Sequence, residues 1–414
     1  MTNKLSVRQA GIIIFIVMLC NKMLSLNSLI AYNTLNSAWI VFFVSFAIDF
    51  LFVLIFMYFM KIMDKPILEY IKDEFGKTIS IILAVLVSVL FLFKTTQVLV
   101  DIYLFFVQLI YAEINRVVFL FCFLTIVLYF GTRKLRSLGR TAELLIVLIV
   151  ASLVLSFLMS MKALDIEKLL PIFGVNFMNI GESIVKHNLW FGDFWIFFFF
   201  VGNVKMERNT NKRLAFAYLL SCAVVVLFVV IFTCAFGNVA SMHRVSIIDV
   251  TEFNPRLVAQ GRFNWLVYFM FPIALVQGIG IYSNCITMCV EHCVRKNFDR
   301  KPIICGMITT GLMLALFMIF RFTYTAFYDF VTNGFCFYTI AVQYVLPIVL
   351  VGVLNIKFLI KNKKLNKNSI KTHKNKQKIA KFSYKSHKKF NYEGFSNQKI
   401  NIRNSKKTKV VQAW

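Results

Sequence analysis

Long apolar stretches alternate with short polar segments along most of the chain. A helix needs about 20 mostly apolar residues to cross the hydrocarbon core of a bilayer. The backbone finds no water there, so each stretch is predicted to be a helix with internal hydrogen bonds. Ten spans fit the pattern: Gln9–Ser28, Ala38–Met63, Thr78–Tyr111, Val117–Gly131, Glu143–Met161, His187–Lys205, Leu214–Phe236, Asn264–Val290, Ile303–Phe322 and Gly334–Leu359. The predicted fold class is an all-α integral membrane protein with about ten transmembrane helices.

Lysine and arginine are unevenly divided between the loops. The N-terminal segment and every second loop after it contain eighteen, whereas the intervening loops contain eight. Cytoplasmic loops are enriched in these residues, so both termini are predicted to be cytoplasmic, as an even number of spans also requires. Ten spans divide into two inverted halves of five, the plan of transporters that bind their substrate at interrupted helices near the midplane. The count permits this 5+5 inverted repeat, although the halves show no convincing sequence similarity.

Composition separates a membrane domain, residues 1–360, from a C-terminal tail, residues 361–414. The chain is 59% hydrophobic and 16% charged, which is unlike a soluble enzyme. The tail contains 17 of the basic residues and one acid, and it is predicted to be largely disordered. Beside a membrane domain, such a tail is expected to contact anionic lipid rather than nucleic acid, although a tail without a specific role is an equal alternative.

Polar residues within the third span form the first candidate site. Lys94, Gln97 and Asp101 share one side of an otherwise apolar helix. Charge inside a membrane is costly and usually faces a partner or a cavity. The stripe therefore predicts a ligand or ion cavity, with helix packing through separate ion pairs as the alternative.

Two further spans contain residues that can interrupt a helix. The first span includes Asn21, Lys22 and Ser25, and the sixth opens around Gly192 and Asp193. Unwound backbone exposes N–H and C=O groups that can bind the carboxylate and ammonium of an amino acid. Asp193 is the candidate partner for the ammonium. The alternative places Gly192 and Asp193 in an outer loop at an ordinary helix start.

The eighth span supplies the remaining candidate, Gln277, beside a proline and two glycines. The proline and the glycines are Pro272, Gly278 and Gly280. The proline predicts a kink and the glycines permit close helix approach. Cys285, Cys289 and Cys293 share a helix face, which is interpreted as small apolar packing rather than a metal site. No cofactor is predicted, and without a phosphate-binding loop or a hydrolase motif the chain is not predicted to be an enzyme.

A series of short motifs occurs in a recognisable order. They are Lys4-Leu5-Ser6-Val7-Arg8-Gln9, Trp39-Ile40, Phe75-Gly76-Lys77, Gly139-Arg140 with Glu143-Leu144-Leu145, Leu169-Leu170-Pro171, and Phe191-Gly192-Asp193. Over roughly residues 4–360 this order resembles the spore germination permease family, the B subunits of nutrient-germinant receptors within the amino acid–polyamine–organocation superfamily. The resemblance implies a 5+5 inverted repeat in the inner membrane of an endospore-forming bacterium.

The same resemblance implies recognition of a germinant, often an L-amino acid, and assembly with a membrane A subunit and a lipoprotein C subunit. The pocket would lie between Cys20–Ser25 and Gly192–Asp193, with the third span alongside. Asn21 and Lys22 replace a glycine usual in the family, so Lys22 is expected to pair with an acid such as Asp101 or to alter ligand choice. The predicted function is a germinant-receptor subunit; the alternatives are a proton- or sodium-coupled amino acid transporter and a scaffold.

Overall fold

The computed structural model describes residues 4–110, 115–161, 164–171, 174–253, 264–294, 301–320, 324–355 and 357. Within these residues the chain is helical and contains no β-strand, apart from one isolated parallel bridge between Leu5 and Val204. The tail, residues 361–414, lies outside the described residues. The boundary at residue 360 therefore stays a prediction.

The described helices differ widely in length, and several are short pieces around interruptions. In chain order they are α1 (Val7–Cys20), α2 (Leu26–Thr34), α3 (Ala38–Ile62), α4 (Ile67–Phe75), α5 (Lys77–Ile110), α6 (Arg116–Gly131), α7 (Leu135–Ser160), α8 (Phe177–Lys186), α9 (Ile196–Phe200), α10 (Thr210–Phe236), α11 (Ser246–Glu252), α12 (Asn264–Cys293), α13 (Lys301–Ile319) and α14 (Tyr324–Asn355). Two stretches of α14, Phe330–Phe335 and Ala341–Val345, are π-helical.

Seven helical segments of the described chain are long and apolar enough to cross a membrane. They are Leu26–Ile62, Lys77–Leu109, Leu135–Ser160, Thr210–Met242, Asn264–Cys293, Lys301–Ile319 and Tyr324–Asn355. The first, fourth and sixth predicted spans correspond to shorter apolar helices, at Val7–Cys20, Val117–Gly131 and Asn188–Phe200. The chain is thus an all-helical membrane protein, whereas the count of ten and the inverted repeat stay predictions.

One predicted span is interrupted, and one predicted loop is helical. The predicted first span, Gln9–Ser28, is broken at the residues predicted to interrupt it, because α1 ends at Cys20 and α2 begins at Leu26. The segment before the sixth span, predicted as a loop, contains α8. Asn176 caps α8 by accepting the N–H of Met178 at 3.2 Å. α8 has only 10 residues and contains Glu182 and Lys186, so a search for about 20 consecutive apolar residues does not detect it.

Loops that the charge pattern assigns to the same side contact one another. The N–H of Leu5 donates to Asn203 O at 2.8 Å, and Gly202 packs against the backbone of Lys65. We call this surface, formed by the segments around Leu5, Lys65, Gly139 and Asn203, the basic face. A loop of the other set contacts the end of α10 instead, where Lys168 donates to Ala235 O at 2.8 Å.

The glycines of α12 allow it to pack closely against its neighbours. A Cβ atom added at Gly278 would collide with Cys20 Sγ at the end of α1, and one added at Gly280 would lie 2.7 Å from Phe130 Cγ on α6. The sequence expectation of close helix approach is therefore correct. This packing holds the end of α1 against α12 at the depth where α1 is interrupted.

Candidate functional site

Two helix interruptions face each other inside the described structure. The first separates α1 from α2 between Asn21 and Ser25. The second lies at Phe191 and Gly192, between a 3₁₀ turn that follows α8 and the 3₁₀ turn that leads into α9. Asn21 Nδ2 donates to the carbonyl of Trp190 at 3.3 Å. The unwound backbone of one interruption is thus held by a side chain from the other.

A buried ion-pair cluster joins the two interruptions. Lys22 pairs with Asp193, and Lys94 from α5 pairs with the same carboxylate at 3.1 Å. Tyr282 from α12 also donates its hydroxyl to Asp193, at 2.8 Å. Both lysines are fully buried and Asp193 is 3% exposed. The interpretation of Gly192 and Asp193 as an outer loop was therefore wrong.

Lys94 bonds to the unwound backbone itself. Its ammonium donates to Leu189 O at 2.7 Å, to Phe191 O and to Asp193. A lysine ammonium has three N–H donors, so these three acceptors satisfy it. The carbonyls that the interruption exposes are consequently occupied by a side chain of the protein.

Asp49 on α3 completes the cluster, and the sequence analysis missed it. Its carboxylate accepts the N–H of Gly192 at 2.7 Å and the hydroxyl of Tyr344 at 3.1 Å. Gly192 has a φ of +74°, and a Cβ atom there would lie 2.6 Å from Gln343 Cδ. The signal available in the sequence was a single acid within the apolar second span, since such residues seldom lack a role.

A second polar layer surrounds Asp101, two helical turns along α5 from Lys94. Asp101 accepts hydrogen bonds from Ser25 Oγ at 2.6 Å, from Gln97 Nε2 at 2.6 Å and from the hydroxyl of Tyr328. The ring of Trp190 stacks on Tyr328 with centroids 5.3 Å apart. Tyr328 and Trp190 were absent from the predicted site, because an aromatic residue in an apolar span carries no distinguishing pattern.

Lys22 pairs with an acid, as expected, but that acid is not Asp101, the residue named as the example. Lys22 lies beside the unwound stretch before α9 and pairs with Asp193. Asp101 is seven residues from Lys94, about 10 Å along the helix axis, and so belongs to the layer around Ser25. The structure therefore separates the predicted polar stripe into two sites.

Gln277 does not join either layer. Its amide bonds to Thr141 at 3.1 Å and to Leu138 O at 3.1 Å, both on α7. One residue further along α12, Gly278 faces α1, and a step of 100° per residue turns Gln277 away from it. Its predicted place in the ligand site is not supported by this position.

A cleft of ≈ 700 Å³ opens on the basic face. Its walls include four lysines and the rings of Phe198 and Phe199. The Phe199 ring lies 5.5 Å from that of Phe91, which lies 5.7 Å from Tyr282. Three rings thus lie between this cleft and the carboxylate of Asp193.

The fold and these two layers define a class, a multi-pass helical membrane protein with buried charge at paired helix interruptions. A family model described as spore germination protein (Spore_permease) matches residues 4–282. The chain belongs to this spore germination family. The match ends within α12, so it covers less than the residues 4–360 over which the motifs suggested resemblance. A search of curated proteins gave no match.

Proposed function

We propose that the chain is the membrane subunit of a spore germinant receptor that recognises a small nutrient, such as an L-amino acid, and helps to trigger germination. It would act as a relative of the B subunits of the amino acid–polyamine–organocation superfamily. Membership of the spore germination family supports the role in germination. The nutrient class is what the family resemblance implies, and the mode of recognition is inferred from the buried polar layers.

The observation that carries the proposal is the meeting of two interrupted helices around five buried charged side chains: Lys22, Asp49, Lys94, Asp101 and Asp193. Burying a charge in a membrane is expensive, and such residues are kept mainly where they serve binding or ion movement. Helix interruptions at membrane depth are likewise tolerated where they line a site. The ion pairs of Asp193 can also serve helix packing, so the features that point beyond a scaffold are the facing interruptions and the carboxylate of Asp101.

The proposed site comprises the residues that the structure brings together. Asn21, Lys22 and Ser25 come from the first interruption, and Gly192 and Asp193 from the second. The third span contributes Lys94, Gln97 and Asp101. Because Lys22 and Lys94 already neutralise Asp193, that carboxylate is a poor partner for a ligand ammonium, contrary to its predicted role.

Partners and placement follow from the same proposal. The chain would assemble with a membrane A subunit and a lipoprotein C subunit in the inner membrane, with both termini cytoplasmic and the tail near anionic lipid. Contact between the basic loops supports this orientation, since such loops face the cytoplasm. Neighbouring genes for a larger membrane subunit and a lipoprotein, and copurification of all three, would support the assembly.

Germination assays on spores test the function directly. Spores that produce Lys94→Ala or Asp193→Ala should lose the response to a nutrient mixture, while spores with the exposed Lys65→Ala control should respond normally. Immunoblots of membranes would establish that each variant is present at wild-type abundance. An unchanged nutrient response in both site variants would contradict the proposal. Accumulation of an amino acid against a gradient in proteoliposomes would indicate a transporter instead.

A further inference from the structure

The buried charges of the two layers do not balance. Among the described residues, three aspartates and two lysines are buried, Asp49, Asp101, Asp193, Lys22 and Lys94, together with the imidazole of His187, which contacts Ser183 O at 2.9 Å. Asp193 forms ion pairs with both lysines, and Asp49 accepts the N–H of Gly192 beside them. These four residues form a neutral group. Asp101 is the carboxylate that remains without a compensating charge.

Asp101 is stabilised by neutral groups alone. Its hydrogen-bond donors are two hydroxyls and one amide, from Ser25, Tyr328 and Gln97. Within the described part of the chain, no ammonium or guanidinium group lies within 4.0 Å of its oxygens. An ionised carboxylate in such a place carries a large desolvation penalty, which a cationic group in contact with it would offset.

Gln97 has one polar atom without a partner beside this carboxylate. Gln97 donates to Asp101 through Nε2, which leaves its buried Oε1 without a hydrogen bond. Buried polar groups are nearly always satisfied in native proteins, so this oxygen is available to a donor that also contacts Asp101.

Aromatic rings adjoin this carboxylate. The rings of Trp190 and Tyr328 stack with an interplanar angle of 13°, and the Tyr324 ring lies 4.1 Å from that of Tyr328. These rings pack on one another, so the groups available to a ligand are the Asp101 carboxylate and Gln97 Oε1. These few oxygens match an organic ammonium better than Ca²⁺ or Mg²⁺, which take six or more oxygen ligands.

We propose that Asp101 is the anchor for a primary ammonium group of the ligand, with Gln97 Oε1 completing that subsite. The inference rests on the proposed function, since it assigns a chemical role within the same site. Lys94 already occupies the carbonyls of Leu189 and Phe191 at the second interruption. A ligand ammonium therefore needs a different partner, and Asp101 provides one.

Binding to the purified full-length chain in detergent tests this assignment. The probes are methylammonium chloride, sodium chloride at equal ionic strength, and a mixture of the twenty L-amino acids. Thermal unfolding is followed for the wild type, Asp101→Asn and the exposed control Asp73→Asn. Methylammonium and the amino acid mixture should raise the Tm of the wild type and of Asp73→Asn. For Asp101→Asn, the ligand concentration that gives half of the maximal rise in Tm should be about 100-fold higher or more with both probes.

The outcomes separate this proposal from the proposed function. Equal binding of amino acids to Asp101→Asn and to the wild type would overturn the anchor while leaving nutrient recognition intact. Stabilisation by methylammonium but not by amino acids, lost in Asp101→Asn, would retain the anchor and overturn the amino acid as ligand. An equal effect of sodium chloride would overturn the ammonium assignment in favour of an inorganic cation, and no stabilisation by any probe would overturn both proposals.

A second measurement does not depend on the folding of the variant. N-acetylation of the amino acids removes the ammonium charge and keeps the side chain and carboxylate. The acetylated mixture should fail to stabilise the wild-type chain at concentrations where the free amino acids saturate. Binding of the acetylated compounds with unchanged affinity would overturn the assignment.

Discussion

Replacing Asp193 with asparagine isolates the charge of the cluster from its shape. Lys22 and Lys94 would then lie in a buried site without their common carboxylate, while the hydroxyl of Tyr282 could still find an acceptor. Breaking a buried ion pair by removing one partner destabilises a protein by about 3–5 kcal/mol, because the remaining charge is uncompensated. We expect the free energy of unfolding of Asp193→Asn to fall by about that amount.

The structure also predicts which of the single variants loses more unfolding free energy. Lys22→Met leaves Asp193 paired with Lys94, so its effect should be the smallest of the three. Lys94→Met removes a charge and also the hydrogen-bond donor of two buried backbone carbonyls, so its loss of unfolding free energy should be larger. Combining Lys22→Met with Asp193→Asn removes one of the uncompensated ammonium groups. The double variant should therefore lose less unfolding free energy than the sum of the losses in the two single variants, by about 1–3 kcal/mol.

Reversible unfolding of the purified chain in mixed micelles, titrated with SDS and followed by tryptophan fluorescence, measures these differences. Disruption of the exposed pair between Lys65 and Asp73, whose side chains are 64% and 57% exposed, is the matched control. Its loss should change stability by less than about 1 kcal/mol. If the losses of unfolding free energy in Lys22→Met and Asp193→Asn were strictly additive, the coupling between these two residues would be refuted. If disrupting the Lys65–Asp73 pair caused an equally large loss, the role of burial would be refuted.

Three further results are expected. Gly192→Ala should sharply reduce the yield of folded chain, because the backbone there is left-handed and a Cβ would meet a neighbouring side chain; Gly181→Ala, with open space around it, should not. Tyr328→Phe should lower the free energy of unfolding by about 1–3 kcal/mol in the same SDS titration, since a buried carboxylate loses a donor. In sealed right-side-out vesicles of a cysteine-free variant, an impermeant maleimide should label Met242→Cys but not Lys72→Cys; the reverse would contradict the proposed orientation.

Local sequence patterns predicted where the helices are interrupted but not which charges pair. Asn21 and Lys22 end an apolar run, and Gly192 with Asp193 opens another, so the two interruptions are visible one segment at a time. Pairing between helices depends on their relative depth and rotation, which no single segment specifies. For that reason the sequence predicted a ligand ammonium as the partner of Asp193, whereas in the structure its partners are two lysines of the protein.

The distribution of charge distinguishes structural polar groups from those available to a ligand. Two lysines and two aspartates neutralise one another and occupy the exposed backbone of the second interruption, so this layer can stabilise the fold without any ligand. Among the described residues, the layer around Asp101 has hydrogen bonds but no countercharge. A lone buried carboxylate carries a desolvation cost that a protein needing only stability could avoid. The proposed recognition of a cationic group would explain the second layer, whereas ion pairing between helices is sufficient for the first.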